Sequence, residues 1–178
     1  MKIQIIGAAG VGKTTLGKYI SEKENIKFID TDHYLWTDET FKFNREISER
    51  ISLYNQDTID NCSYVVAGSV YSWKKDGFNN RDILVFLFLD DQKRINRIID
   101  REIARNGLSG LKIDENGQYT NEFIEWTKLY NKINDETSPG VYAEHMKQLR
   151  ESKSKTIKLS GELSPEELYL IIKKELQK

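Results

Sequence analysis

Several features that would narrow the function of a protein are scarce in this sequence. Its 178 residues include one cysteine, Cys62, so no internal disulfide can form, which predicts a reducing compartment and a cytoplasmic location. The 27 basic and 28 acidic residues leave a net charge of −1, without the basic excess typical of nucleic-acid-binding proteins. No apolar run resembles a membrane span or a signal peptide. We therefore expect neither a nucleic acid nor a membrane as partner.

Linker signals are equally scarce. Only two prolines occur, Pro139 and Pro165, and neither lies in a low-complexity tract. The length is that of one ordinary domain, so we expect residues 1–178 to form a single domain. The most loop-like stretch is 106–120, which is rich in glycine and poor in large apolar side chains. We predict a lid at about 105–121.

Short apolar runs alternate with helical patterns along most of the chain, as in α/β proteins with a parallel sheet. The run at 83–89 is apolar throughout, which is typical of a strand covered on both faces. The predicted strands are 2–6, 26–29, 64–67, 83–89 and 156–159. The predicted helices are 13–24, 45–59, 91–105, 121–135, 141–150 and 165–176. This pattern predicts a three-layer α/β fold.

A phosphate-binding motif follows the first strand. The spacing Gly7-x-x-x-x-Gly12-Lys13-Thr14 is that of a P-loop, in which backbone N–H groups surround the phosphates. Lys13 can reach the β- and γ-phosphates, and the Thr14 hydroxyl can bind Mg²⁺. The strand before the motif and the helical pattern after it disfavour a glycine-rich turn without a ligand. The predicted nucleotide-binding residues are Gly7, Ala8, Ala9, Gly10, Val11, Gly12, Lys13, Thr14 and Thr15.

The second predicted strand ends in two carboxylates. Asp30 and Asp32 follow its apolar residues, at the edge where open α/β sheets bind ligands. In an extended segment, side chains two residues apart point to the same side. Asp30 is then a candidate Mg²⁺ ligand, and Asp32 a candidate base that aligns an acceptor hydroxyl and takes its proton. The alternative is a polar turn in which Asp30 caps the chain.

These motifs resemble the shikimate kinase, gluconate kinase and adenylate kinase group of P-loop phosphotransferases. The segment FIDTD is similar to a strand end of shikimate kinases, and NRIIDRE is similar to an arginine-bearing helix of adenylate kinases. The resemblance implies a P-loop NTPase fold with a five-stranded sheet in the order 2-3-1-4-5 and a lid after that helix. It also implies that Arg97 packs on the adenine and Arg101 reaches the transferring phosphoryl group. Without it, both arginines fit a solvated helix face.

A longer resemblance covers nearly the whole chain. Segments such as DTDHYLW, GSVYSW, EFIEWTKLY and IKLSGELSPEEL are similar to small bacterial proteins called adenylate kinase-like or shikimate kinase-like ATPases. The glycine triplet of shikimate kinases is replaced here by Gly68-Ser69-Val70, and their R-P-L-L motif is missing. The G-F-P-R motif of adenylate kinases is missing as well. Neither named reaction is therefore transferred to this chain.

The second half of the binding site is less clearly marked. Arg45 can face an acidic group on an acceptor, and Gly68 and Ser69 can contact the acceptor at the end of the third strand. Trp126, Leu129, Tyr130 and Ile133 lie at helical spacing and are predicted to form core beneath the lid. His145 has no evident partner, which favours a structural role.

The motifs leave two classes of function open. The first is a kinase that uses ATP and Mg²⁺ to phosphorylate a small hydroxylated metabolite or a nucleotide, with Lys13, Asp32 and Arg101 as catalytic residues. The second is a nucleotide-binding ATPase or regulatory switch without a phosphoryl acceptor. The Asp30-x-Asp32 pair and the lid favour the kinase.

Overall fold

A five-stranded parallel sheet forms the centre of the protein in the computed structural model. The structure describes residues 1–37, 43–74 and 80–178. Its strands are β1 (Lys2–Ile6), β2 (Lys27–Asp30), β3 (Tyr64–Ala67), β4 (Ile83–Phe88), β5 (Lys112–Ile113), β6 (Tyr119–Thr120) and β7 (Lys155–Ser160). The large sheet has the order β2-β3-β1-β4-β7, and all its neighbouring strands are parallel. Because β7 is its fifth strand along the chain, the predicted order 2-3-1-4-5 is confirmed.

Helices cover both faces of this sheet. They are α1 (Lys13–Glu24), α2 (Thr31–Leu35), α3 (Ile47–Ile59), α4 (Asp91–Asn106), α5 (Glu122–Lys128), α6 (Tyr142–Glu151) and α7 (Pro165–Leu176). Ile3 and Ile5 of β1 are buried on the face covered by α1 and α7. On the opposite face Leu84 packs against α6, and Tyr34 and Tyr54 bring α2 and α3 onto the sheet. The predicted three-layer α/β fold is therefore confirmed.

The alternation of side chains along each strand explains the layers. Successive residues of a strand point to opposite faces, so an apolar strand such as β4 buries side chains in both helical layers. Each fully buried Ile or Leu contributes about 1.5–3 kcal/mol from burial alone. The apolar run that identified this strand is thus also what joins the two helical layers to one sheet.

Two local predictions are wrong. The chain does not stay extended after β2, because Asp30 begins the short helix α2 by accepting a hydrogen bond from the Asp32 N–H at 3.1 Å. The helix predicted at 121–135 ends at Lys128. Its residues were predicted as core, but Trp126 is 46% exposed and Leu129 is 40% exposed, whereas Tyr130 is buried. Leu129 and Tyr130 lie beyond the end of α5, so the helical spacing on which the prediction was based does not apply to them.

The predicted lid segment, 105–121, has structure of its own. After α4 the chain makes a turn at Leu108–Gly110, and β5 and β6 then form an antiparallel hairpin. That this segment closes over a ligand stays a prediction. No helix within the described residues combines the length and apolar character that a membrane crossing requires.

Candidate phosphoryl-transfer site

A cleft of about 660 Å³ opens at the carboxyl ends of the central strands. Its size falls in the range usual for small-molecule sites. The predicted site residues that line it are Gly7, Ala9, Gly10, Val11, Gly12, Lys13, Thr14, Thr15, Asp30, Asp32, Gly68, Ser69, Arg97 and Arg101. Ala8 and Arg45, which the structure also describes, do not line it.

The P-loop joins β1 to α1 in a conformation that depends on glycine. Gly7 has a φ of 143°, and a Cβ atom there would lie 2.2 Å from the carbonyl oxygen of Leu87 in the neighbouring strand. Gly12 has a φ of 103° and is the N-cap of α1, with no side chain capping the helix. The first N–H groups of α1 are thus left for a ligand, and the helix dipole favours an anionic one.

The side chain of Lys13 turns back to the loop that precedes this residue in the sequence. Its Nζ donates hydrogen bonds to the carbonyl oxygens of Gly7 and Ala8, both at 2.8 Å. Burial lowers the pKa of Lys13, and the carboxylates of Asp32 and Asp30 oppose that shift. The ammonium is thus held at the phosphate loop by carbonyl groups. A bound phosphate would offer it a stronger, charged partner.

Thr14 and Asp30 meet on the other side of the loop. The Thr14 Oγ1 donates to the Asp30 Oδ2 at 3.4 Å, while Asp30 Oδ1 caps α2. Mg²⁺ in nucleotide sites takes oxygen ligands, usually one or two from protein carboxylates and others from phosphates and water. A hydroxyl and a carboxylate oxygen side by side at a phosphate loop therefore fit a magnesium ion.

Asp32 lies in the first turn of α2 and faces the same cleft. Loss of hydration, and then repulsion from the Asp30 carboxylate, raise the pKa of Asp32. Lys13 and Arg101 oppose this shift, so both cations act on the Asp32 carboxyl group. A carboxylate with a raised pKa is a better proton acceptor than an ordinary aspartate.

Arg97 and Arg101 extend from α4 into the cleft. Both terminal nitrogens of Arg97 donate to the Gly161 carbonyl oxygen, at 3.1 and 3.2 Å, so Arg97 holds the turn after β7. The guanidinium of Arg101 lies 5.8 Å from the centre of the Phe123 ring. Burial, followed by repulsion from Arg105, lowers the pKa of Arg101. The two arginines thus occupy different parts of the cleft.

The acceptor side differs from the prediction in its arginine. Arg45 is bound to the Glu49 Oε1 at 2.6 Å and to the Thr37 carbonyl oxygen at 3.2 Å, away from the cleft. Arg50, in the first turn of α3, lines the cleft instead and donates its Nε to the Arg45 carbonyl oxygen at 2.8 Å. Both arginines belong to one charged segment, and sequence alone does not show which faces inward.

Ser69 and Gly68 lie where predicted, at the end of β3. Gly68 has a φ of 113°, and a Cβ atom there would lie 1.8 Å from the Thr31 Oγ1, so only glycine fits. The Ser69 hydroxyl donates to the Glu144 Oε1 at 3.3 Å and accepts from the Gln148 Nε2 at 2.6 Å. Ser69 is therefore joined to α6.

Besides Arg50, sequence reasoning missed four side chains of α5 and α6 that line the cleft. Phe123 and Trp126 come from α5, and Glu144 and His145 come from α6. His145 is buried, its Nδ1 lies 2.8 Å from the Tyr130 hydroxyl, and burial lowers its pKa to about 3. These side chains reach the cleft through tertiary packing, and the only signal in the sequence was their polar or aromatic character inside helical patterns.

The fold and the cleft are those of a small P-loop protein, and they are similar to shikimate and gluconate kinases. Residues 3–117 match the AAA domain family, and the chain belongs to this family. The uncharacterized protein YqaC of Bacillus subtilis (strain 168) is 34% identical over 143 residues, which cover 80% of each chain. A shikimate kinase of Staphylococcus aureus (strain MRSA252) is 31% identical over 104 residues, 52% of this chain and 53% of that one.

Solved structures support the same fold over nearly the full length. A shikimate kinase from Bacteroides thetaiotaomicron superposes with a TM-score of 0.61 at 18% identity, covering 99% of this chain and 98% of the other. A deoxyadenosine kinase from M. mycoides with bound dCTP gives a TM-score of 0.60 at 15% identity, covering 99% of both chains. At these identities the likeness concerns the fold.

Proposed function

We propose that the protein is an ATP- and Mg²⁺-dependent kinase that phosphorylates a small hydroxylated metabolite or a nucleotide. The observation that carries the proposal is that one cleft contains both a phosphate loop and a carboxylate with a raised pKa, Asp32. The names of the relatives support it, because they include kinases of small molecules. A cytoplasmic location, suggested by the single cysteine, is part of the same proposal.

When bound, ATP supplies the γ-phosphoryl group, and Mg²⁺ offsets the charge of its phosphates. The N–H groups at the start of α1 hold the phosphates, and Lys13 exchanges its carbonyl partners for phosphate oxygens. Thr14 and Asp30 would hold the metal ion. Asp32 would accept the proton of the acceptor hydroxyl as the hydroxyl oxygen bonds to the γ-phosphorus and ADP leaves. Arg101 stabilises negative charge on the group in transfer.

Arg97 has a separate role in this proposal. Two hydrogen bonds to Gly161 hold its guanidinium on the turn after β7, where Arg97 lines the cleft, and a planar guanidinium can stack on a nucleotide base. The hairpin of β5 and β6 is proposed as a lid that excludes water during transfer, because it follows directly from the helix that carries both arginines. Residues 1–178 then act as a single catalytic domain.

The decisive experiment measures ADP release with Mg-ATP over a panel of nucleosides, nucleotides, sugars and sugar acids. We expect ADP release that depends on an acceptor in the wild-type protein. Lys13→Ala should lower ATP affinity or turnover at least about tenfold, the scale of one lost charged contact. Lys18→Ala is the matched control, because Lys18 is exposed on the same helix and outside the cleft.

Two results would overturn the proposal. Unchanged ATP binding and turnover in Lys13→Ala would mean that the P-loop does not hold the nucleotide. ADP release that is slow and independent of every acceptor would favour a nucleotide-dependent switch, in which binding or hydrolysis changes the conformation of the chain.

A further inference from the structure

Glu144, a buried carboxylate on α6, has no role in the proposed transfer of the phosphoryl group. The Glu144 side chain is only 1% exposed, yet Glu144 lines the cleft. Its Oε2 accepts the Gly140 N–H at 2.7 Å, and its Oε1 accepts the Ser69 hydroxyl at 3.3 Å. An ionised carboxylate can accept about four hydrogen bonds. Glu144 therefore keeps capacity for a further donor.

This carboxylate also has no cationic partner among the described residues. The nearest titratable nitrogen is the His145 Nε2 at 3.9 Å, and burial lowers the His145 pKa to about 3, so the imidazole is neutral at ordinary pH. Burial raises the pKa of Glu144 itself. Burying an unpaired carboxylate at the low-dielectric edge of the cleft destabilises the folded protein unless a ligand supplies the missing hydrogen-bond donor.

An aromatic platform lies beside Glu144. Phe123 and Trp126 stack with ring centres 6.1 Å apart and planes 25° from parallel, and both line the cleft. They remain 39% and 46% exposed. A Cβ atom on Gly140 would lie 3.4 Å from the Trp126 indole, and the Gly140 N–H is the group bound by Glu144. The indole and the carboxylate are thus adjacent through Gly140.

We propose that Glu144 receives an N–H donor of a ring-bearing acceptor, with Trp126 packed against the ring. This inference rests on the proposed kinase function and specifies its acceptor. Two sources provide the donor: an ammonium group on a saturated ring, or an amino group on a heteroaromatic ring. A carboxylate group at the same position would face the Glu144 carboxylate and be repelled.

The test uses pairs of acceptors that differ in the nitrogen group alone. Adenosine is compared with purine riboside, which lacks the amino group, and glucosamine is compared with glucose. ADP release with saturating Mg-ATP is measured for the wild type, for Glu144→Gln and for Glu151→Gln. Glu151 is the matched control, since it is an exposed glutamate at the end of the same helix and outside the cleft.

We expect kcat/KM for one aminated acceptor to exceed kcat/KM for the matching compound without the nitrogen group at least about tenfold. This is the scale of a hydrogen bond to a charged group. Glu144→Gln should raise KM for that acceptor about tenfold and leave KM for ATP within error, without lowering the melting temperature. Glu151→Gln should change neither KM. A response to adenosine identifies a heteroaromatic source, and a response to glucosamine identifies an ammonium source. Trp126→Leu should weaken binding of the responding acceptor in either case.

The failures can be separated. The inference is overturned if acceptors with and without the amino group stimulate ADP release equally, or if Glu144→Gln leaves the release unchanged. The proposed kinase function is not affected by either result. Release stimulated by gluconate or shikimate but by neither aminated compound overturns it as well. Absence of any acceptor-dependent release, with ATP still bound, overturns both the inference and the proposed function.

Discussion

The proposed nucleotide side and the proposed acceptor side of the cleft are built in different ways. The proposed nucleotide side is mainly one segment, 7–15, which runs from the end of β1 into the first turn of α1 and lines the cleft at every residue except Ala8. The acceptor side is assembled from side chains of α2, α3, α5 and α6, namely Asp32, Arg50, Trp126 and Glu144. Backbone geometry is fixed by local sequence, whereas the acceptor wall depends on how distant helices pack.

This difference has a consequence for specificity. A loop that binds phosphate through N–H groups recognises a part that all nucleoside triphosphates share. Side chains on separate helices can be replaced without changing the sheet, so we expect related proteins on one fold to differ in substrate through residues on this side. The segment Gly68-Ser69-Val70, which stands where shikimate kinases have a glycine triplet, lies on that side.

The largest expected effect comes from Asp32, where the two sides meet. Asp32→Asn keeps the size of the side chain and removes the carboxylate that takes the acceptor proton, so transfer should fall about 10²-fold or more. Mg-ATP binding should change little. In the wild type, kcat should fall at acid pH as Asp32 becomes protonated, since only the carboxylate can accept a proton.

The measurement is a pH profile of acceptor-dependent ADP release between about pH 4 and 8. Asp60→Asn serves as a control, because Asp60 is exposed at the end of α3. Transfer at the wild-type rate in Asp32→Asn would mean that the carboxylate has no part in the chemistry.

A smaller effect should separate the two arginines of α4. Base packing is the same before and during the reaction, so Arg97→Ala should mainly raise KM for ATP. Charge on the transferring group is greatest in the transition state, so Arg101→Ala should mainly lower kcat, by about tenfold or a barrier change of about 1.4 kcal/mol. Steady-state kinetics at varied ATP check this. Equal small effects would support a solvated helix face instead.

The third prediction concerns the arginine that sequence reasoning did not choose. Arg50→Ala should raise KM about fivefold for an acceptor that bears a phosphate or carboxylate, because Arg50 lines the cleft. Arg45→Ala is the matched control and should change that KM less than about twofold, since Arg45 binds Glu49. The uncharged analogue of the acceptor should be insensitive to both changes. The reverse ranking would restore Arg45 as the acceptor residue.

The sheet and the phosphate loop were predictable because both rest on local patterns. Strands β1 and β3 have the predicted bounds, and α1 begins at Lys13 as expected from the motif. The helix α2 was missed because Asp30 caps a helix there, which a D-x-D pattern does not distinguish from an extended strand end.

The acceptor wall could not be predicted in the same way. Trp126 was assigned to the core by its helical spacing, but its indole is 46% exposed and lines the cleft. The polar character of Glu144 was not a specific signal, because a glutamate in a helical pattern is usually a solvated surface residue. Its burial follows from contacts with Gly140 and Ser69 that only the folded chain brings together.

The last effect is the smallest at neutral pH and concerns the stability of the fold. It depends on His145, which lies next to Glu144 and whose pKa is lowered in part by the charge of Lys13. Burial, and then Lys13, lower its pKa from 6.5 to about 3 in the folded protein. The unfolded chain therefore binds the proton first as the pH falls below 6.5, and the protein loses up to about 1.4 kcal/mol of stability per pH unit from this group. Urea unfolding at about pH 7, 6 and 5 measures that slope.

His145→Asn keeps a polar partner for the Tyr130 hydroxyl and removes the titrating group, so its slope should be shallower than that of the wild type. His33→Asn, at the other and exposed histidine, controls for the substitution itself. Comparing the variants separates the contribution of His145 to the pH dependence of stability from the contributions of carboxylates, including Glu144. If His145→Asn and the wild type lose stability in parallel down to about pH 5, His145 is protonated in the folded state. Glu144 would then have a cationic neighbour at that pH, and the carboxylate proposed to receive the acceptor would not be unpaired there.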